Sequence, residues 1–328
     1  MSTIVCLGEA LIDFVADEAG VTLVECPGFR KAAGGAPANV AAGVARLGAP
    51  AAFVGKVGDD PFGRFLQQTL AEARVDTRGM RFDPEVRTGL AFVSLTASGE
   101  RDFVFYRHPS ADMRLQPEEL PHDLLDSCSV FHFGSISLIT EPSRSATLAA
   151  VARARTRGAL VSYDPNLRPP LWPNLEEARR AILAVMPLAD VVKVNEEEAE
   201  FLFGTPNAVA AAAAILKRGP RLACVTRGAA GCVLAAAAGQ VSIPGFSVAV
   251  QDTTGAGDGF VAALLVRLRQ SGAAGDEAWL RETGRFANAV GALTCTQKGA
   301  IPALPTAKAV AVFLASRPGE RLELEGPS

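Results

Sequence analysis

Several large classes of protein depend on features this chain has little of. Its 328 residues include 3 histidines, 2 tyrosines and 2 tryptophans, and its 6 cysteines form no C-x-x-C pair. A Cys/His metal centre is therefore not expected. Cys6, Cys26, Cys128, Cys224, Cys232 and Cys295 read mostly as reduced thiols in apolar contexts, which points to the cytoplasm. An excess of one charge is also missing: 32 Lys plus Arg stand against 35 Asp plus Glu, a net charge of −3. No basic field invites nucleic acid or a membrane surface. No apolar run reaches transmembrane length, and the longest, residues 209–216, is Ala-rich and reads as a packed helix. Residues 1–8 have neither the charged flank nor the long apolar core of a secretory signal, so none is expected. Finally, the phosphate-binding pattern G-x-x-x-x-G-K-[ST] is absent.

What remains is a globular composition, 49% hydrophobic and 20% charged, on a chain long enough for a large α/β domain and a small accessory one. Strand-like segments at 4–7, 52–57, 130–133, 160–163, 191–194 and 222–226 alternate with helix-like segments at 37–47, 61–73, 143–157, 175–186, 260–269 and 277–296. Asp60 followed by Pro61 is an N-cap with proline at the first helical position. Repeated β-then-α order leads to a parallel sheet covered on both faces. Residues 15–33 and 90–106 break the rhythm, with strand-like runs and no helix between them. The second reads as a hairpin around Ala97, Ser98, Gly99 and Glu100. Paired, the two stretches would form a small sheet over the crevice at the carboxyl ends of the main strands. As edge strands of the main sheet they would do nothing of the kind. The expected division is a main domain of residues 1–14, 34–88 and 107–328 and a lid of 15–33 and 89–106.

The most informative stretch is Asp252-Thr253-Thr254-Gly255-Ala256-Gly257-Asp258-Gly259-Phe260, between a strand-like run at 246–250 and a helix-like one. Its glycines allow close backbone approach to a ligand, and a helix N-terminus suits a phosphate. Asp258 would repel that phosphate, so a loop that only held phosphate would not carry it. A catalytic base beside a transferring phosphoryl group would sit there. A capped turn is the plainer reading.

Other residues point the same way with less force. Gly34 and Gly35 lead into a nearly uncharged helix whose first turn carries Asn39, an amide that can donate and accept. Asp13 lies in an apolar run just after the first strand and needs partners, which sugar hydroxyls or backbone groups could supply. Asn195 and Glu198 form a capping-box pattern, which accounts for both; a Mg²⁺–phosphate role is the second reading. Thr226, Gly228 and Gly231 follow a strand, as a nucleotide loop or as an ordinary hairpin.

Together these stretches resemble the PfkB/ribokinase family of carbohydrate kinases, and within it the fructokinases. The resemblance rests on Gly34-Gly35-Ala36-Pro37-Ala38-Asn39-Val40-Ala41 and the Asp252 to Phe260 stretch. The stretches Phe105 to Met113, Phe131 to Ser137 and Lys298 to Pro305 add subgroup markers. It implies a Rossmann-like three-layer α/β sandwich with a β lid. It implies ATP-dependent phosphorylation of a sugar's primary hydroxyl, D-fructose first, with 2-keto-3-deoxygluconate and ribose as alternatives. Asp258 would be the base, and Gly255, Ala256 and Gly257 the anion hole. Asp13, Gly34, Gly35, Asn39, Arg107 and Arg168 would hold the sugar. Asn195, Thr226, Gly228, Gly231 and Asn288 would hold ATP, with Glu198 on Mg²⁺ through water. Asp252 and Thr254 match a K⁺ position in relatives. A homodimer through the lid is a further expectation. A non-catalytic sugar-binding relative is the reading from another class, and an intact Asp258 speaks against it.

Overall fold

A computed structural model of the chain describes residues 3–18, 20–95, 101–272 and 275–317. In chain order the strands are β1 (Thr3–Leu7), β2 (Leu11–Ala16), β3 (Phe29–Gly34), β4 (Ala51–Gly58), β5 (Asp76–Asp83), β6 (Leu90–Leu95), β7 (Arg101–Tyr106), β8 (Cys128–Phe133), β9 (Leu160–Tyr163), β10 (Val191–Asn195), β11 (Leu222–Thr226), β12 (Cys232–Ala236) and β13 (Gly239–Ile243). The helices are α1 (Ala36–Arg46), α2 (Pro61–Glu72), α3 (His122–Ser127), α4 (Ser143–Thr156), α5 (Leu175–Val185), α6 (Glu196–Phe203), α7 (Ala208–Leu216), α8 (Ala256–Ser271), α9 (Glu277–Thr294) and α10 (Ala307–Ala315).

Nine strands form one sheet in the order β13-β12-β11-β10-β9-β8-β1-β4-β5. It is parallel from β11 to β5, and β12 and β13 extend it as an antiparallel hairpin. Alternate side chains of the inner strands enter two separate cores, one per face. Ile4 and Cys6 pack on one side of β1, Val5 and Leu7 on the other. This is the expected sandwich of helices on both faces of a parallel sheet.

The sequence misleads at several elements, and α3 is not among the expected helices. Residues 246–250 form no strand; the last one is β13, and irregular chain runs from Pro244 onward. Proline has no N–H for a ladder, and Asn288 Nδ2 donates to the Ile243 and Pro244 carbonyls at 3.3 and 2.9 Å instead. β5 is an edge strand whose Arg78 and Arg81 obscure its alternation. The helix α10 also lies beyond the expected elements.

The two stretches without helices do pair, in a four-stranded sheet of order β3-β2-β6-β7 in which β2 and β6 run parallel. It begins at Leu11 rather than Val15 and includes Gly34, because Leu11 pairs with Gly34 in the β2–β3 ladder. Asp13 therefore belongs to the small sheet. The expected hairpin turn, residues 97–100, lies outside the described residues. Phe92 stacks on Phe14 with ring centroids 5.1 Å apart and meets Phe29 and Tyr106 edge-on. The Phe14 ring also meets Phe62 of α2, which joins this sheet to the main domain.

One helix pair brings two distant parts of the chain together. A Cβ on Gly43 of α1 would stand 2.7 Å from the Ala262 Cβ of α8, so the two backbones approach closely. That approach carries Asn39 at the start of α1 to Asp258 at the start of α8.

Candidate active site

The stretch from Asp252 folds as a tight turn into α8. One Asp252 carboxylate oxygen accepts from the Thr254 N–H and hydroxyl at 2.9 and 2.6 Å; the other accepts from Gly299 N–H at 2.9 Å. Gly255 is the N-cap, with φ 79° in the left-handed region, and its position has no room for a side chain against Ala300. Ala256, Gly257 and Asp258 are the first helical turn, whose N–H groups have no acceptor within the helix. Such an end can hold an anion, although Ala256 N–H already donates to the Thr253 carbonyl at 3.3 Å, and this end carries an acid.

Asp258 is held by Asn39, whose Nδ2 donates to Oδ2 at 2.8 Å. Desolvation pushes the Asp258 carboxyl up to about 6, and the charge of Asp164 adds to it. The Asn39 bond and the cations Lys193 and Arg168 pull the other way. Such a group is ionised at neutral pH yet basic enough to take a proton. The acid limb of kcat/KM is accordingly expected near pH 6, not near 4. Below it Asp258 is protonated and cannot accept, so the rate should fall about tenfold per pH unit. A pH–rate profile checks this, and a limb near 4 would remove Asp258 as the titrating base.

Two residues that local sequence does not single out complete this centre. Lys193, on β10, is 7% exposed and pairs with Asp164, just past β9, at 3.1 Å. Its Nζ stands 3.6 Å from where a Cβ of Gly257 would be, directly beside the first turn of α8. Burial alone would lower the Lys193 pKa, but Asp164, Glu198 and Asp258 outweigh it and hold the ammonium charged. The available signal is a lysine inside the apolar run Val191-Val192-Lys193-Val194: a buried charge needs a partner or a task. His132, buried and 3.1 Å from Ser162 Oγ, is drawn down to about 3, first by burial and then by Lys193. It is neutral and no rival to Asp258.

On one side of Asp258 lie the residues expected to hold a sugar. Asn39 Oδ1 is buried and finds no hydrogen-bond partner among the described residues, leaving an acceptor for a hydroxyl. Asp13 lies against Gly34, where any Cβ would collide with its carboxylate. Gly35, with φ 100°, caps α1 against the Glu9 carbonyl. Gly34→Ala is expected to raise the sugar KM about tenfold or more by displacing Asp13, with ATP KM within twofold. Steady-state kinetics in both substrates reads the split. Arg168 donates to the Leu167 carbonyl at 3.1 Å, and its charge reaches Asp258. Arg107 is 3% exposed; its guanidinium is paired with Asp112, while its Nε is buried with no hydrogen-bond partner among the described residues.

On the other side opens a cleft of about 1130 Å³, lined by Ala256, Gly257, Lys193, Asn195, Thr226, Gly228, Gly231 and Asn288 among others. The residues expected to hold ATP thus share one wall system with the anion-binding turn. Asn195 and Glu198 form the capping box in full: Asn195 Oδ1 accepts from Glu198 N–H at 2.7 Å and Glu198 Oε2 from Asn195 N–H at 2.9 Å. Glu198 Oε1 accepts from Leu167 N–H at 2.8 Å. Burial and then Asp164 raise the Glu198 pKa against the pull of Lys193. No group of three His, Cys, Asp or Glu that could cage a metal occurs among the described residues. A carboxylate already engaged by two amides fits a hydrated Mg²⁺ carried mainly by phosphates, not a protein cage. The all-oxygen groups of Asp252 and Thr254 suit a hard monovalent cation.

The comparisons with known proteins agree with this geometry. The chain matches the pfkB family carbohydrate kinases over residues 1–307. It is 52% identical over 315 residues to the probable fructokinase-4 of Arabidopsis thaliana, covering 95% of this chain and 97% of that one. The fructokinase of Xylella fastidiosa with bound ATP superposes with a TM-score of 0.87 at 39% identity, covering 96% and 98% of the two chains. A fructokinase double mutant from Vibrio cholerae O395, in its fructose, ADP and potassium ion bound form, gives 0.85 at 42% identity and the same coverage. A sandwich with a small second sheet, an acid in a glycine-rich helix start and a nearly full-length match place this chain in the PfkB family of carbohydrate kinases.

Proposed function

We propose that the chain transfers the γ-phosphoryl group of ATP to the primary hydroxyl of D-fructose, giving fructose 6-phosphate and ADP. The observation that carries this reading is Asp258, held by Asn39 on its sugar side and placed on the helix turn that lines the nucleotide cleft. The sugar hydroxyl gives its proton to Asp258 as its oxygen attacks the γ-phosphorus. The bond to the bridging oxygen breaks in line and ADP leaves. The Gly255, Ala256 and Gly257 backbone and the Lys193 ammonium meet the charge that spreads over the transferring group. Asp13, Gly34, Gly35, Asn39 and Arg168 orient the sugar. Thr226, Gly228, Gly231 and Asn288 shape the nucleotide wall. Asn195 and Glu198 would hold Mg²⁺ through water, and that ion would neutralise phosphate charge. Asp252 and Thr254 would hold K⁺ beside the anion hole, as the potassium-bound Vibrio relative suggests.

Fructose is chosen over 2-keto-3-deoxygluconate and ribose because the relatives over nearly the whole chain are named fructokinases. An intact Asp258 argues against a non-catalytic binding protein, which would have no use for a carboxylate facing phosphate. The lid's exposed Val15, Val104 and Tyr106 support pairing with a second copy, and free, mostly buried cysteines fit the reducing cytoplasm. ADP release across fructose, 2-keto-3-deoxygluconate, ribose, glucose and adenosine tests the assignment. Preference for another sugar replaces fructose, and no turnover with any of them favours the binding protein.

A further inference from the structure

The chain crosses between the main domain and the small sheet four times, and the register of that sheet brings the four crossings together. Leu11 pairs with Gly34, Ile12 with Leu90 and Leu90 with Tyr106, so the strand ends form one row. Immediately beyond the row lie Glu9, Ala36, Gly89 and Arg107. Glu9 and Arg107 are each 3% exposed, and Asp112, 7% exposed, completes a buried charge cluster with them. Glu9 Oε1 accepts from the Ala36 N–H at 3.0 Å, joining the first crossing to the second. Arg107, in the fourth, pairs with Asp112, which also accepts from Ser110 Oγ at 2.5 Å. Gly89, in the third, packs against that pair: a Cβ there would be 3.2 Å from Arg107 Cγ and 3.4 Å from Asp112 Oδ1. The Gly89 carbonyl accepts from Ile12 N–H at 3.0 Å, and the Arg87 carbonyl from Ala111 N–H at 2.9 Å.

We propose that Glu9, Arg107 and Asp112 form a hinge anchor that sets the small sheet's position on the main domain and so places Asp13 and Gly34 relative to Asn39 and Asp258. In this role they act as positioning residues, through the geometry of the small sheet. A buried ion cluster is a poor source of net stability, since hydrophobic residues would pack the same space at less desolvation cost; its value is in fixing one geometry. Here the geometry fixed is the one between the two bodies that share the sugar site. Asp13 rides on the sheet four residues beyond Glu9, and Asn39 follows three residues after Ala36, so the Glu9–Ala36 bond sits at the root of both.

The inference about sugar binding rests on the proposed kinase activity, so the test has two arms. In the first, Glu9→Leu, close in size but with no acceptor for Ala36 N–H, and Arg107→Lys, which keeps the charge but loses the fork, are assayed in both substrates. The sugar KM is expected to rise about tenfold in each while ATP KM stays within twofold. The double variant should be little worse than the more damaged single, because the two act through one anchor. In the second arm, amide hydrogen exchange on the ligand-free protein needs no substrate. Glu9→Leu should speed exchange at Ile12 and Ala36 about tenfold and leave β10 and β11 unchanged. Folded variants with unaltered sugar KM and unaltered exchange at Ile12 and Ala36 would overturn the proposal, as would a uniform rise in exchange over the whole protein. A wild-type chain inert toward every sugar, with exchange faster only at the hinge, would sink the kinase assignment and leave the anchor standing.

Discussion

Asp258→Asn should leave the chain folded, able to bind sugar, and slower in turnover by about 10²–10⁴-fold. The substitution is nearly isosteric. Asn39 Nδ2 donates to Asp258 Oδ2 at 2.8 Å, and the substituted side chain can keep that bond through its amide oxygen. What it cannot do is accept a proton. The loss should therefore appear in kcat with the sugar KM changed by less than about threefold, the signature of an interaction made only on the way to the transition state. Removing the charge also relieves its repulsion of phosphate, so ATP should bind no more weakly. The pH dependence separates this account from a general disturbance: the limb near 6 should vanish, because the carboxyl that burial raises to about 6 is gone. A variant with near-normal kcat, or one that keeps the limb, would show that another group takes the proton.

The parts of this site that the sequence reveals are those where local chemistry and location agree. Three glycines and an acid at a strand-to-helix turn announce a backbone that must come near a charged ligand. The apolar strands announce the sheet by their β-branched runs. Asn39 is visible as the one amide in a helix of small residues, and the close packing of α1 on α8 is why that helix is made of small residues. Contacts made across long sequence separations are less visible. Pro244 and the Asn288 amide abolish an expected strand through a bond spanning 44 residues. Lys193 lies on β10 and Asp164 just past the end of β9, 29 residues apart, so neither hints at the other in sequence. Only the sheet order, β9 beside β10, joins them.

Lys193→Met should have two separable effects. The first is on stability. Lys193 is buried among Asp164, Glu198 and Asp258, and its charge acts on all three. Without it, Asp164 is left as an unpaired buried carboxylate, and breaking a buried pair from one side costs about 3–5 kcal/mol. Asp164→Asn in the same chain removes the orphaned charge, so the double variant should regain most of that loss in a denaturant titration. The second effect is on chemistry, and it should not be regained. The ammonium lies 3.6 Å from the Cβ position of Gly257, alongside the N–H groups proposed to meet the transferring phosphoryl. Removing one preorganised donor from such a site lowers kcat by about 10²–10³-fold. Both variants should show that deficit, with the sugar KM little changed because Asp13, Asn39 and the glycine loop are untouched. Salt makes a useful control. A cation only 7% exposed is poorly screened, so the deficit should hold from low to physiological ionic strength. If turnover instead returns together with stability in the double variant, Lys193 serves the fold alone, and the anion hole is built from the backbone of Gly255, Ala256 and Gly257.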